Sequence, residues 1–389
     1  MIATTNNPAL TRRIFTSLPT DLWTAGTLTI AALVAAPIIS VLLLALSPSN
    51  DIWYHLVSTV LPRYIRTTLL LMIGVGIGTA TIGTGTAWLG TLCNFPGRRA
   101  FEWALLLPLA IPAYVVAYVY TDILEFAGPV QTTLRDFFGW KSGRDYWFPE
   151  IRSLGGAIIM MTLSLYPYVY LLARIAFLQQ SISVLEACRT LGRGPWRAFF
   201  QIALPLARPA VVVGVSLVLM EALNDFGIVD FFSIETLTAG IYDVWLNMNN
   251  APGAAQLATA SLAFVLSLVG IERYSRRKQQ NYQTASKYNP ISSYSLTRGK
   301  SFLAFLSCLL PIALGFLIPA GVLLVYATQF YEESLSANFL LYARNSLVLS
   351  SLSATIATIL GLFLAYGVRL SGNWVVLAAT RFASIGYAI

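Results

Sequence analysis

Long apolar stretches, separated by shorter polar ones, run along most of the chain. A helix needs about 20 predominantly apolar residues to cross a bilayer, and nine stretches approach that length. They cover residues 22–46, 67–93, 101–121, 154–178, 207–232, 254–271, 302–328, 346–370 and 374–389. The pattern predicts an all-α fold, a polytopic transmembrane helical bundle with about nine spans.

Composition points to the same class. Of the 389 residues, 57% are hydrophobic and 11% are charged, whereas soluble domains average about 25% charged residues. The net charge of +8 would indicate nucleic acid binding in a soluble protein. Here the arginines lie beside apolar runs, so we expect a lipid bilayer and no nucleic acid as partner. Three scattered cysteines and one histidine, His55, argue against a disulfide framework or a zinc site, and we assign no metal ligand.

The distribution of basic residues predicts the orientation. Lysine and arginine accumulate in cytoplasmic loops. They are concentrated in residues 1–21, 98–99, 181–206 and 273–300. The loop over residues 225–250 holds acids and no base. We therefore predict a cytoplasmic N-terminal tail, residues 1–21. Arg12 and Arg13 anchor the first helix in this interpretation, because the apolar run behind them is too long for an export signal.

A polar linker, residues 273–300, divides the chain into two predicted units. The first, residues 22–272, holds six predicted helices, and the second covers residues 301–389. A shift of 278 positions superposes nine identical residues over 48, from Tyr64 on Tyr342 to Ile111 on Ile389. Parallel repeats are a common way to build transporters. On this register the second unit is predicted to be incomplete.

The stretch "EACRTLGRGPWRAFFQIALPLARPA", residues 186–210, is polar and rich in turn-forming residues. Glycines interrupt it, Pro195 suits the first position of a helix, and Leu204 and Pro205 are expected to end that helix. We predict two short helices joined by a glycine turn on the cytoplasmic face. The alternative is an interfacial helix that rests on lipid through Trp196, Phe199 and Phe200.

The same stretch resembles the EAA loop of ABC-importer permeases, with one departure at Cys188, where the family usually has alanine. The resemblance implies a coupling helix that docks on a separate ATP-binding subunit, where Trp196 would add contact area. The predicted coupling loop spans residues 181–206, and its site residues are Glu186, Ala187, Gly192, Trp196, Ile202, Leu204 and Pro205.

Residues 107–120, 190–210 and 219–245 resemble the ferric-iron permeases, in which two permease units are fused. This resemblance implies a type I ABC importer permease fold with twelve spans, of which about nine are present here. It implies translocation of ferric iron across the bacterial inner membrane. An external iron-binding protein would dock on the loops after the fifth and seventh predicted spans, called loops five and seven, and two ATP-binding cassette subunits would lie inside. No enzymatic activity and no cofactor are expected of this chain, because ATP is used by the partner subunit. The sequence "RGKS" at residues 298–301 lacks the first glycine of a nucleotide loop.

Polar residues near the outer end of the fifth predicted span are candidates for the translocation pathway. Glu221 and Asn224 lie there, beside Asp225, which we expect to be wetted by the external solution. Charges inside spans usually face a cavity or a partner, and carboxylates suit a hard cation such as Fe³⁺. Tyr114 and Tyr118 could add phenol oxygens, with interface anchoring as the alternative.

The glycine-rich run at residues 74–85 predicts close helix packing, through Gly74 and Gly78. Three alternative functions stay open. The substrate could be thiamine, a phosphonate or a polyamine in the same importer class. The chain could be a proton-coupled secondary transporter, although its predicted spans hold few charges. It could also be a fragment that does not transport.

Overall fold

A computed structural model of the chain describes residues 22–48, 56–180, 194–277, 294–331, 337–371 and 374–383. Nearly all of these residues are helical. The α-helices are α1 Leu22–Ala45, α2 Leu61–Leu92, α3 Arg98–Ala104, α4 Ala113–Leu124, α5 Pro129–Phe138, α6 Leu154–Leu178, α7 Pro195–Ala198, α8 Leu204–Asn224, α9 Gly227–Phe231, α10 Leu237–Tyr242, α11 Ala251–Arg277, α12 Arg298–Ile312, α13 Ile318–Gln329, α14 Ala337–Ser371 and α15 Trp374–Ala383.

Short segments of other types complete the chain. Two-residue strands, β1 Cys93–Asn94 and β2 Tyr294–Ser295, pair in parallel. A 3-10 turn covers Leu107–Ala110, and π-helical turns cover Leu56–Val60, Phe199–Ala203, Asp243–Asn247 and Ala313–Leu317.

Membrane-spanning helices confirm the predicted class. In the described residues, seven helices are long and apolar enough to cross a membrane, or eight if one bent pair counts as a span. The predicted span over residues 154–178 has the same bounds in the structure. The ninth predicted span appears as α15, a ten-residue helix, and residues 384–389 lie outside the described part.

The third predicted span is broken, so an unbroken helix over residues 101–121 is wrong. The helices Arg98–Ala110 and Ala113–Phe138 meet at 86°. Between them Ile111 is extended, with φ −110° and ψ 123°, because the ring of Pro112 disfavours helical backbone in the residue before it.

The fifth predicted span has different ends in the structure. It is one 29-residue helix, Trp196–Asn224, so Leu204 and Pro205 do not end the second short helix. The π-turn Phe199–Ala203 widens the helix directly before Pro205, where a proline ring would otherwise clash with the preceding turn. The helix stops at Asn224 rather than at residue 232, because Asp225 turns to extended backbone.

The larger of two compact units covers residues 42–331, and α2, α6 and α8 form its centre. Glycines on α2 allow α6 to approach closely. A Cβ added to Gly74 would lie 2.6 Å from Ile158, and one added to Gly78 would lie 2.7 Å from Thr162. The close helix packing predicted for these two glycines is thus confirmed.

The smaller unit covers residues 1–41 and 332–389. In it α1 packs against α14, where Trp23 stacks on Phe363 with ring centroids 4.7 Å apart. A shift of 278 positions moves the bounds of α2 to residues 339–370, within two residues of those of α14. The repeat itself stays a prediction.

Candidate functional site

Only part of the predicted coupling loop falls in the described residues. Glu186, Ala187 and Gly192 lie outside them. The described part resumes at Gly194, and the helix that starts there carries the other four predicted site residues. These are Trp196 in α7, Ile202 in the π-turn, and Leu204 and Pro205 in the first turn of α8.

An aromatic cluster, made of Trp88, Phe177, Trp196, Phe199 and Phe200, lies where this helix begins. The ring of Phe199 is 5.0 Å from Trp88 and 4.8 Å from Phe200. Phe199 is buried, whereas Trp196 and Phe200 are 64% and 60% exposed. Anchoring on lipid through all three aromatics is therefore wrong for Phe199, which fastens the helix to α2 and α6.

A hydrogen bond joins the two ends of the segment that contains the coupling loop. Gln180 Nε2, directly after α6, donates to the carbonyl oxygen of Ala203 at 2.8 Å. The hydrogen bond therefore spans 23 residues of sequence and joins the last described residue before the loop to the π-turn in the loop's second half.

Ionic contacts tie α2, α3 and α6 together, and the sequence analysis did not find them. Arg174 Nη2 lies 2.7 Å from Glu102 Oε2. Arg98 donates to the carbonyl oxygens of Gly90 and Thr91 at 2.7 and 2.6 Å, where a cation also suits the negative end of the α2 dipole. The sequence did hold an indication of this ion pair, because Glu102 and Arg174 are opposite charges that lie in two different predicted apolar spans.

The four pathway candidates lie on α4 and at the end of α8, away from the coupling loop. Tyr114 and Tyr118 lie one turn apart on α4 and are 54% and 52% exposed. Tyr114 packs against Gly227, where an added Cβ would lie 3.0 Å from its own. Because Gly227 follows the end of α8 by three residues, Tyr114 lies close to the segment that carries the exposed Glu221 and Asn224.

Asp225 has a structural contact that the sequence did not reveal. Its Oδ1 accepts a hydrogen bond from the backbone N–H of Ile228 at 2.8 Å, which supports the start of α9. Burial, with a smaller contribution from the charge of Glu221, raises the pKa of Asp225 above its ordinary value, although the backbone hydrogen bond opposes this shift. Asp225 is therefore partly buried, whereas we expected a carboxylate wetted by the external solution.

Glu221 also lies within electrostatic range of Tyr168 on α6. A residue of α6 thus lies near the candidates on α4 and α8. In the described residues no group of three or more histidines, cysteines or acids stands together as a metal site.

A folded cap, residues 125–153, follows α4 in the chain. It lines an open pocket of about 470 Å³. Arg152 pairs with Glu125 at 2.6 Å and lies 4.9 Å from the ring centre of Phe231 in α9. At its surface Trp147 is 86% exposed. The mixed charges of the cap did not indicate its fold in the sequence, although its many aromatic residues could have indicated packing.

The chain is similar to known proteins over much of its length. The family model of the binding-protein-dependent transport system inner membrane component matches residues 80–281, which is 202 of 389 residues. The molybdenum transport system permease protein ModB of Escherichia coli (strain K12) is 30% identical over 186 residues, 46% of this chain and 78% of the relative.

Two further similarities extend over more of the chain. The Fe(3+)-transport system permease protein FbpB 2 of Haemophilus influenzae is 27% identical over 304 residues, which is 77% of this chain and 55% of the relative. A solved bacterial ABC transporter involved in the import of the acidic polysaccharide alginate has a TM-score of 0.52 at 17% identity, covering 63% of this chain and 90% of that chain. At that identity the likeness shows the fold alone.

Proposed function

This chain belongs to the family of binding-protein-dependent transport system inner membrane components, and from that premise we propose that it passes ferric iron across the bacterial inner membrane. It is a multi-pass permease subunit of an ABC importer. The same membership sets aside the alternative of a proton-coupled secondary transporter.

The length of the FbpB 2 match carries the assignment of iron. That match covers 304 residues of this chain, so it must extend past the family match at residues 80–281. The ModB match covers 186 residues, a length that fits within a single predicted unit. A match longer than one predicted unit supports a shared substrate class.

Charge at the pathway candidates supports a cation. Glu221 and Asp225 lie within electrostatic range of each other, and two carboxylates attract Fe³⁺ and repel an oxyanion. Molybdate is the second candidate, favoured by the 30% identity to ModB.

The transport would proceed by alternating access, with ATP hydrolysis in the partner subunits as its source of energy. An external iron-binding protein docks and releases its ion toward the pathway candidates. Two cytoplasmic ATP-binding cassette subunits close on ATP and pull on the coupling loop, residues 181–206. The aromatic cluster and the bond between Gln180 and Ala203 pass that pull to α6 and α8. This chain supplies shape and charge, and ATP is hydrolysed in the partner subunits.

The coupling role is tested by co-purification with the ATP-binding subunit. Glu186→Arg reverses a charge in the matched pattern and should abolish association while leaving membrane insertion unchanged. Ser181→Arg places the same side chain in the same loop outside the pattern and should keep association. Equal recovery of the ATP-binding subunit with both variants would show that Glu186 has no role in coupling.

The pathway role is tested by uptake of radiolabelled ferric iron. Glu221→Gln keeps the size of the side chain and removes its charge, so we expect uptake to fall about tenfold, equivalent to about 1.4 kcal/mol. Asp21→Asn is the control, because it removes one carboxylate charge from the predicted cytoplasmic tail, residues 1–21, and none from the pathway candidates. Unchanged uptake by Glu221→Gln would make Glu221 a structural residue.

The folded cap extends the predicted docking surface. Loop five was predicted to receive the binding protein, and Arg152 joins the cap to α9 in that loop. Residues 332–336 of loop seven lie outside the described part. An exposed tryptophan is a common anchor of an interface, so Trp147→Ala should weaken docking of the binding protein in a pull-down. Phe137→Ala is the comparison, because it removes another exposed aromatic side chain of the cap.

A further inference from the structure

An apolar groove of about 480 Å³ lies beside the aromatic cluster. Its walls come from α2, from the start of the helix that contains α7, and from α12. The residues that line it are Thr81, Ile82, Gly85, Thr86, Trp88, Leu89, Trp196, Phe199, Leu303, Leu306, Ser307, Leu310 and Pro311. Its volume falls in the range of about 300–1,000 Å³ that is usual for ligand sites.

The groove presents hydrocarbon rather than hydrogen-bonding groups. Thr81 Oγ1 donates to the carbonyl oxygen of Ile77 at 2.7 Å, and Thr86 Oγ1 donates to that of Ile82 at 2.7 Å. Both hydroxyls are therefore satisfied within α2. An apolar chain fits such walls better than a polar ligand does.

Large apolar side chains along the groove are open to their surroundings. Leu303 is 63% exposed, Leu310 is 57% exposed, and Trp196 is 64% exposed. No atom lies within 4 Å of the position that a Cβ on Gly85 would take. The described residues therefore leave room in the groove for a further apolar group.

The mouth of the groove is basic. Lys300 precedes Leu303 by three residues and Ser307 by seven, so all three lie on one face of α12. Arg298 lies in the same first turn, which contains no acid. Two cations at the positive end of a helix dipole are unfavourable on their own. In the described residues Lys300 forms no ion pair.

We propose that this groove binds an anionic phospholipid. An acyl chain lies between α2 and α12 and covers Gly85, while the phosphate lies near Lys300. The tryptophan at the mouth suits the level of the headgroups, where Trp side chains accumulate in membrane proteins. Anionic headgroups also attract basic residues next to a spanning helix.

Because Trp88, Trp196 and Phe199 belong to both the groove and the aromatic cluster, the lipid contacts the start of the coupling helix. Lipid bound there would brace the helix against α12 and stiffen the path from the coupling loop to α8. This consequence rests on the coupling role proposed above, whereas the binding of lipid does not.

Native mass spectrometry of the purified full chain tests the binding. Phosphatidylglycerol and phosphatidylcholine with identical acyl chains are titrated separately. We expect phosphatidylglycerol to bind at least about tenfold more tightly. Gly85→Phe fills the groove, so it should lose this bound lipid. Gly321→Phe is the matched control, because an added Cβ at Gly321 also meets no atom within 4 Å, and it should bind as the unchanged chain does.

Two further variants keep the test decisive. Leu306→Trp narrows the groove from α12 and should also lose the lipid, which covers the case that Gly85→Phe fails to fold. Lys300→Gln should keep phosphatidylcholine binding and lose the preference for phosphatidylglycerol. Unchanged lipid binding by both groove variants, or an unchanged preference in Lys300→Gln, would overturn the proposal. A groove that takes up lipid only after residues 278–293 are deleted would show that this segment is its occupant, and would overturn it too.

Discussion

Replacement of Gly83 by alanine probes the contact at the centre of the larger unit. A Cβ at this position would lie 2.7 Å from Val169 Cβ and 2.9 Å from both the carbonyl oxygen of Tyr166 and the backbone nitrogen of Tyr170. Two of these atoms belong to the backbone of α6, so no side-chain rotation can make room. The two helices have to move apart.

The size of the effect follows from these distances. Carbon atoms prefer separations of about 3.5–4.0 Å, so α2 and α6 must separate by about 1 Å. Overpacking of this kind costs about 1–3 kcal/mol. Alanine favours a helix over glycine by about 1 kcal/mol, which offsets part of that cost. We expect Gly83→Ala to destabilise the chain by about 0–2 kcal/mol.

Gly85→Ala, two residues further along α2, isolates the contact. An added Cβ there meets no atom within 4 Å, so this variant gains the helix preference without the clash. The two variants should differ by about 1–3 kcal/mol. At about 2 °C per kcal/mol, that is about 2–6 °C in apparent Tm, measured by size-exclusion chromatography of heated samples in detergent. Equal Tm values, or a more stable Gly83→Ala, would refute the packing of α2 on α6.

Further predictions concern single contacts. Glu102→Gln leaves two partly buried guanidinium groups without their carboxylate, so the free energy of unfolding should fall by about 1–3 kcal/mol. Glu235 is exposed, so Glu235→Gln should lower it by less than about 1 kcal/mol. Equal losses in the two variants would contradict the difference in burial. The pKa of Asp225 is raised above 3.8 in the folded chain. The stability that protonated Asp225 contributes is therefore fully present below pH 3.8 and is lost as pH rises through the raised pKa. Asp225→Asn should flatten this pH dependence in thermal melts and keep the acceptor for Ile228, and an unaltered pH profile would argue against it. Gln180→Ala should change stability by less than about 1.5 kcal/mol and speed proteolytic cleavage within residues 181–193, and an unchanged cleavage rate would show that the bond does not restrain the loop.

Hydrophobic pattern predicts the spanning helices well where the apolar run and the helix coincide. Residues 154–178 are such a case, because the helix begins at Leu154, directly after the capping residue Ser153, and ends at Leu178. The second span starts ten residues earlier than predicted, at Val57 rather than at residue 67. Arg63 and Arg66 ended the apolar run in the sequence, but a helix can continue past charged residues once its end leaves the membrane.

Prolines were the main source of error. Pro112 broke a run that had the length and hydropathy of a single span, whereas Pro205 was accommodated inside a helix. The difference lies in the backbone before each proline. Ile111 becomes extended, whereas Ala203 stays helical within a π-turn. Composition does not distinguish these two outcomes.

Parts of the candidate site were predictable from residue type and position. Glu221 and Asn224 were selected because charged and polar groups inside spans are costly, and Tyr114 and Tyr118 because their phenol oxygens could join them. The structure places Tyr114 against Gly227, three residues after α8, and the pathway role of all four stays a prediction. The groove near Lys300 and the bond from Gln180 to Ala203 depend on contacts between distant segments, which no local pattern reports. The coupling residues Glu186, Ala187 and Gly192, the linker boundaries at residues 273–300 and the incompleteness of the second unit stay predictions.

Uptake by cells that lack this chain is the most direct test of its function. Radiolabelled ferric iron and radiolabelled molybdate are supplied in parallel, with the 389-residue chain absent, restored, or restored as Glu186→Arg. We predict that the restored chain returns ferric-iron uptake alone and that Glu186→Arg does not, although it reaches the membrane. Restored molybdate uptake without iron uptake, or iron uptake that survives Glu186→Arg, would contradict the assignment.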